Sequence, residues 1–131
     1  MLTLIGMTLS VTLLIPQSGA APAQSDPRER LETAIEEGIR LLEKKEYLKF
    51  LTTLADPAAL AKRRDTPEEF AAEFAEDGAE RLLAMLKRIR TAKPVMSADG
   101  NTATYQLDPA PERGPRTLRW EKIGKYWYIA N

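Results

Sequence analysis

Proton chemistry has few places to reside in this sequence. Its 131 residues include no His and no Cys. That removes the commonest general base, the commonest metal ligand, the usual partner of a nucleophilic Ser, and every thiol, thiolate or disulfide function. Carboxylates and phenols remain. Asp26, Asp56 and Asp108 each stand immediately before a proline, and Asp65 stands two before one, so capping or turn formation accounts for all four. Asp99 belongs to an Asp99-Gly100 turn. Asp77 alone lacks such a task, although Arg81 at i+4 offers it an exposed ion pair. An isomerase- or dehydratase-like site would therefore rest on Asp77 or Tyr105 as acid or base, with the carboxylate turned into a cavity beside an aromatic wall. The glutamates fall mostly on outer helix faces, and no Asp-rich loop of calcium-binding form occurs. No metal and no cofactor is expected.

The aromatic residues point to binding instead. Tyr47, Phe70, Phe74, Tyr105, Trp120 and Trp127 would line an open cavity for a small apolar ligand, with Tyr105 as a polar handle. The same spacing also describes an ordinary core. Tyr126 and Tyr128, with Arg119 nearby, fall on the opposite strand face, and exposed Tyr and Arg are interface-type residues. A second copy or another protein would dock there, although strand propensity also explains the tyrosines. Net charge is zero but unevenly spread: residues 24–80 hold nine Lys/Arg against fifteen Asp/Glu, and 81–131 hold ten against four. No basic cluster is interleaved with aromatics in a nucleic-acid-binding motif, so no nucleic-acid partner is expected.

The element that must position these groups is the C-terminal stretch Arg116–Asn131, RTLRWEKIGKYWYIAN. Leu118 and Trp120 alternate with Arg119 and Glu121, and Trp127 and Ile129 alternate with Tyr126 and Tyr128, the period of a half-buried hairpin. A turn at Ile123-Gly124 sets Trp120 opposite Trp127. A turn at Gly124-Lys125, with Gly first as type II′ prefers, sets Trp120 opposite Ile129. Either keeps the four large apolar groups on one face, whereas an odd loop would flip them.

Upstream, Asp26-Pro27-Arg28-Glu29 predicts the start of a first helix, with Asp26 as N-cap and Glu29 closing a capping box. Leu31, Ile35, Gly38, Ile39 and Leu42 make its apolar stripe, where Gly38 marks a close crossing. Glu36 and Arg40 are spaced for an exposed pair. A shorter helix carries Tyr47, Phe50, Leu51 and Leu54. Asp56-Pro57 restarts a short turn or helix that ends in Lys62-Arg63-Arg64. Thr66-Pro67-Glu68-Glu69 caps the longest helix, about 67–91, which Asp77-Gly78 kinks or interrupts, with Phe70, Phe74, Leu82, Met85 and Ile89 inward. Two strands, 93–97 and 101–107, flank Asp99-Gly100, and 108–115 with three prolines is an exposed loop. The expected fold is α+β: three helices on one face of a curved antiparallel sheet of about four strands.

Residues 1–25 carry no charge. An apolar run from Leu2 to Ile15 is followed by small residues, and Ala21-x-Ala23 satisfies the signal-peptidase rule, although the usual basic start is missing. The run is shorter than the roughly 20 residues of a membrane span. A signal peptide over 1–23, cleaved near Ala23, would leave a single exported domain over 24–131, periplasmic or extracellular. An uncleaved anchor is the alternative.

The order of elements, the Tyr47–Leu54 helix ending in Asp56-Pro57, and the ending Leu-x-Trp…Gly…Trp-x-Ile resemble small exported bacterial members of the nuclear transport factor 2-like superfamily. That resemblance implies a cone of helices wrapped by a bent sheet. Enzymes of the superfamily use a cone-lining Asp or His base, often with a Tyr or a second Asp, a set this sequence matches poorly. In family endings Trp stands two residues after the turn Gly, whereas Trp127 is three after Gly124. The function expected is therefore non-enzymatic binding, of a small apolar ligand in the cone through Tyr47, Phe74, Tyr105, Trp120 and Trp127, or of a protein across the open sheet. The alternatives are the Asp/Tyr enzyme and a self-associating structural module, a homodimer through the sheet face.

Overall fold

Asp26 accepts the Arg28 amide at 2.8 Å and opens a 3-10 turn over Pro27–Glu29. It does not start the long helix. Arg30 is extended (φ −127°, ψ 141°), so α1 begins anew and spans Leu31–Glu43. Proline at the first position suits either helix type, but the chain turns at Arg30 before the apolar stripe begins, and the expected capping box at Glu29 does not form. The computed structural model describes residues 25–107, 109, 112 and 114–130. The expected leader and Asp108 lie outside them.

Among the described residues five α-helices form, where three were expected. α1 ends where Lys45 takes φ +59° and the Glu46 amide reaches back to the Leu41 carbonyl at 2.9 Å, a Schellman-type stop. α2 (Tyr47–Leu54) and α3 (Pro57–Ala61) follow, the latter capped by Asp56, whose carboxylate takes the Ala58 amide at 2.9 Å. Thr66 and Glu69 close a reciprocal capping box on α4 (Pro67–Glu76). The expected long helix then breaks. Gly78 adopts φ +120°, a backbone that side-chain-bearing residues avoid, and α5 (Ala79–Ile89) starts in a new direction. Gly38 does mark a close crossing: a Cβ there would lie 3.2 Å from Leu86 Cδ1 on α5 and 3.3 Å from both Leu54 Cδ1 and Phe50 Cε2 on α2.

The four strands β1 (Val95–Met96), β2 (Thr102–Gln106), β3 (Thr117–Ile123) and β4 (Tyr126–Ile129) form one antiparallel sheet in the order β1-β2-β3-β4. Trp120 pairs with Ile129 and Ile123 with Tyr126, so the last turn is Gly124-Lys125. Gly124 has φ +67° while Lys125 stays out of the left-handed region, which is the type II′ pattern. Alternation holds: Leu118, Trp120 and Trp127 are buried and Ile129 packs against the same core. Helices α1, α2 and α5 cover that face with Ile39, Leu41, Phe50, Leu54, Leu86 and Ile89.

The free edge of β4 is covered. Ala55 forms a parallel bridge to Ile129, and the Asp56 amide donates to the Ile129 carbonyl at 3.2 Å. Covering a sheet edge in this way blocks edge-to-edge pairing. Arg28 reinforces it from the 3-10 turn before α1: its guanidinium holds Asp26 at 2.8 Å, donates to the Thr53 carbonyl at 3.3 Å and lies 4.1 Å from the centre of the Tyr126 ring. The expected Glu36–Arg40 pair is not made. Arg40 binds Glu37 at 2.7 Å, and Glu36 reaches across to Arg90, the C-cap of α5, at 2.7 Å, because the α1–α5 crossing brings a better-placed cation to Glu36.

Candidate functional site: an apolar cavity between the helices and the last hairpin

Between α2, α3, α4 and α5 on one side and β3 and β4 on the other lies a cavity of about 390 Å³. Its walls are Phe50 and Leu51 of α2, Phe70 and Phe74 of α4, Leu82 and Met85 of α5, and Leu118 and Ile129 of the hairpin. The aromatic wall is ordered. Phe50 and Phe74 stack with centroids 5.7 Å apart and planes 8° apart, and Tyr47 meets Phe74 edge-on at 6.0 Å, geometries that aromatic pairs prefer. A wall of this kind sheds water and accepts apolar molecules.

Among the described residues, charged groups reach this cavity only from Asp56, Arg63 and Arg81. Asp56 turns one carboxylate oxygen back to cap α3. Arg63 is held in two places: Asp65 takes its Nε and an Nη at 2.9 and 2.8 Å, and its guanidinium lies 3.6 Å from the centre of the Phe70 ring. The Arg63 guanidinium in turn holds the Asp65 carboxyl below the usual carboxylate range. Arg81 has a single, longer contact, 3.4 Å to Asp77.

The residues singled out from the sequence do not share one site. Phe70 and Phe74 line the cavity, and Tyr47 stands behind Phe74, bordering a separate shallow pocket with Ala79 and Leu83. Trp120 is sealed in the core, and its indole Nε1 has no hydrogen-bond partner. Tyr105 and Trp127 border a different hollow of about 530 Å³, between α1 and the sheet, which also holds Glu32, Arg90 and Lys93. Burial, then the nearby Glu32 charge, raises the Tyr105 phenol above its ordinary value, so it keeps its proton at neutral pH.

Asp77 points outward. Its side chain is 84% exposed and paired with Arg81, not turned toward an aromatic wall as an acid–base role needs. Tyr126 and Tyr128, expected to offer an open face, are half-buried beneath Arg28, 4.1 and 5.9 Å from their ring centres. Among the described residues there is no cluster of three or more acidic side chains able to hold a metal, and no helix long and apolar enough to cross a membrane.

Several wall residues escaped the sequence reading. Leu51, Leu82, Met85 and Leu118 read there simply as stripe or strand positions, and Arg63 and Arg81 as a helix-end charge and an ion-pair partner. The one available signal was Gly78, placed eight residues after Phe70 and four after Phe74 on a helix that would otherwise have closed over them. Comparisons with protein-family models, with curated proteins and with solved structures return no match for this chain.

Proposed function

We propose that this protein is a non-enzymatic, exported binding domain that takes a small apolar ligand between its helices and its last hairpin. The observation that carries the reading is the cavity of about 390 Å³ walled by Phe50, Phe70, Phe74, Leu82, Met85 and Ile129, within the size range of about 300–1,000 Å³ of small-molecule pockets. The absence of His and Cys and the outward Asp77 favour binding over catalysis. The helices stacked on one face of a four-stranded antiparallel sheet are in keeping with a nuclear transport factor 2-like cone. The uncharged, apolar residues 2–15 followed by small residues support export with cleavage near Ala23.

Thermal-shift and calorimetric screening of the full chain against straight-chain alcohols, simple aromatics and terpenoid alcohols tests the binding. At least one class is expected to raise the melting temperature and to bind with a negative heat-capacity change, the signature of apolar burial. If no compound of any class binds, the proposal fails. Fractionation of expressing bacteria, with N-terminal sequencing of the mature protein, tests the export.

A further inference from the structure

The cavity mouth carries two guanidinium groups of different availability. Arg63 is 34% exposed, saturated by Asp65 and laid on Phe70. Arg81 is 41% exposed, and among the described residues its one ion pair is the 3.4 Å contact to Asp77, a carboxylate itself 84% exposed. The Arg81 stem runs beside the loop before β3, 3.8 Å from where a Cβ on Gly114 would stand, which sets the head of Arg81 at the mouth. A long, solvent-exposed pair of this kind contributes little, so exchanging its carboxylate for another anion is cheap. The fork of a guanidinium matches carboxylate and phosphate oxygens two at a time. The remaining charge in the lining, Asp56, is committed to the α3 cap.

Resting on the cavity as the ligand site, we infer that the ligand is an anionic amphiphile: its apolar chain lies along Phe50, Phe70, Phe74 and Met85, and its carboxylate or phosphate displaces Asp77 from Arg81. Arg63 stays with Asp65, which neutralises it, so Arg81 alone meets the head group. Desolvation at an apolar mouth strengthens such a charge-assisted contact beyond what it is worth in open water.

Isothermal titration of the full chain with decanoate, decyl phosphate, decanol and decyltrimethylammonium separates the parts. The two anions are expected to bind about tenfold or more tighter than decanol, and the cation more weakly than decanol. Raising salt weakens the anions and leaves decanol unchanged. Arg81→Gln should bring the anions down to the decanol affinity. Asp77→Asn, at a highly exposed position, should tighten both anions by removing their competitor and leave decanol alone. The comparison of decanoate with decyl phosphate assigns the head group. If decanol matches the anions, or if Arg81→Gln leaves their affinity unchanged, the head-group inference falls while the apolar site stands. If none of the four binds, both fall.

Discussion

Among the described residues Trp120 is the largest sealed side chain, and its indole N–H has no partner there. Its contribution is therefore apolar area minus an unmet donor, and a buried donor left unpaired costs about 1–3 kcal/mol. Trp120→Ala should destabilise by about 3–5 kcal/mol. Trp120→Phe should cost much less, because it removes the orphan donor along with part of the ring. Urea unfolding of the two variants checks this, and equal losses would show that the N–H is satisfied in solution. At the chain start, the hydrogen bond from Arg28 holds the Asp26 carboxyl below its ordinary value. A carboxylate depressed in the folded state adds stability above its unfolded pKa and loses it as pH falls through the folded one. The contribution is therefore full at pH 7, begins to fall below about pH 4 and is gone only under the depressed folded value. Asp26→Asn keeps a capping oxygen and loses the Arg28 ion pair, so it should cost up to about 1 kcal/mol at pH 7 and progressively less as pH falls below about 4, measured as the difference in urea midpoints from the parent. Asp65 and Asp99 are depressed in the same direction, so only the difference between the two chains isolates Asp26.

At the scale of elements, what the sequence made legible follows how local the cause is. The Thr66–Glu69 box, the Asp56 cap and the Gly124 turn are each written within four residues, and each forms as its residue types dictate. Strand faces were legible too, because burying two indoles permits only one phase of the alternation. Helix count was not. Whether Asp77-Gly78 bends or ends a helix depends on what its flanks pack against, and here α4 packs mainly on α2 while α5 packs on α1. The ion pairs of α1 failed for the same reason, since Arg90 reaches Glu36 from 54 positions away. The cavity was the least legible feature, because its walls come from α2, α3, α4, α5 and the last hairpin and no motif spans them. Gly78 is the element-level test. With φ at +120° and a Cβ placed 3.4 Å from Phe74 Cδ1, Gly78→Ala should destabilise by about 1–3 kcal/mol. Chemical denaturation measures it. No loss would mean that α4 and α5 can run on as one helix and that the opening between them is not enforced by backbone.

Across the whole molecule, packing is uneven in a way that stability alone does not call for. Ile39, Leu41, Leu86, Ile89, Leu118 and Trp120 are sealed. Phe70, Phe74, Leu82 and Ile129, all apolar, stay only partly buried around the cavity. A chain of this size holds about 5–15 kcal/mol of net stability, so apolar walls that do not close on one another are a substantial concession, of the sort found where binding conflicts with packing. If that is its origin, filling the hollow should trade one property for the other. Leu82 lines it from α5 and is not itself sealed, so a larger ring at this position can grow inward without overpacking the sealed core. Leu82→Phe should therefore gain about 0.5–2 kcal/mol, read as a rise of several degrees in melting temperature, and weaken decanol and decanoate together by about tenfold. The paired readout is what decides. A melting temperature that rises while both affinities persist would put the ligand elsewhere, for instance in the Tyr105 and Trp127 hollow, and a fall in stability would mean that the walls around Leu82 already close on one another in solution.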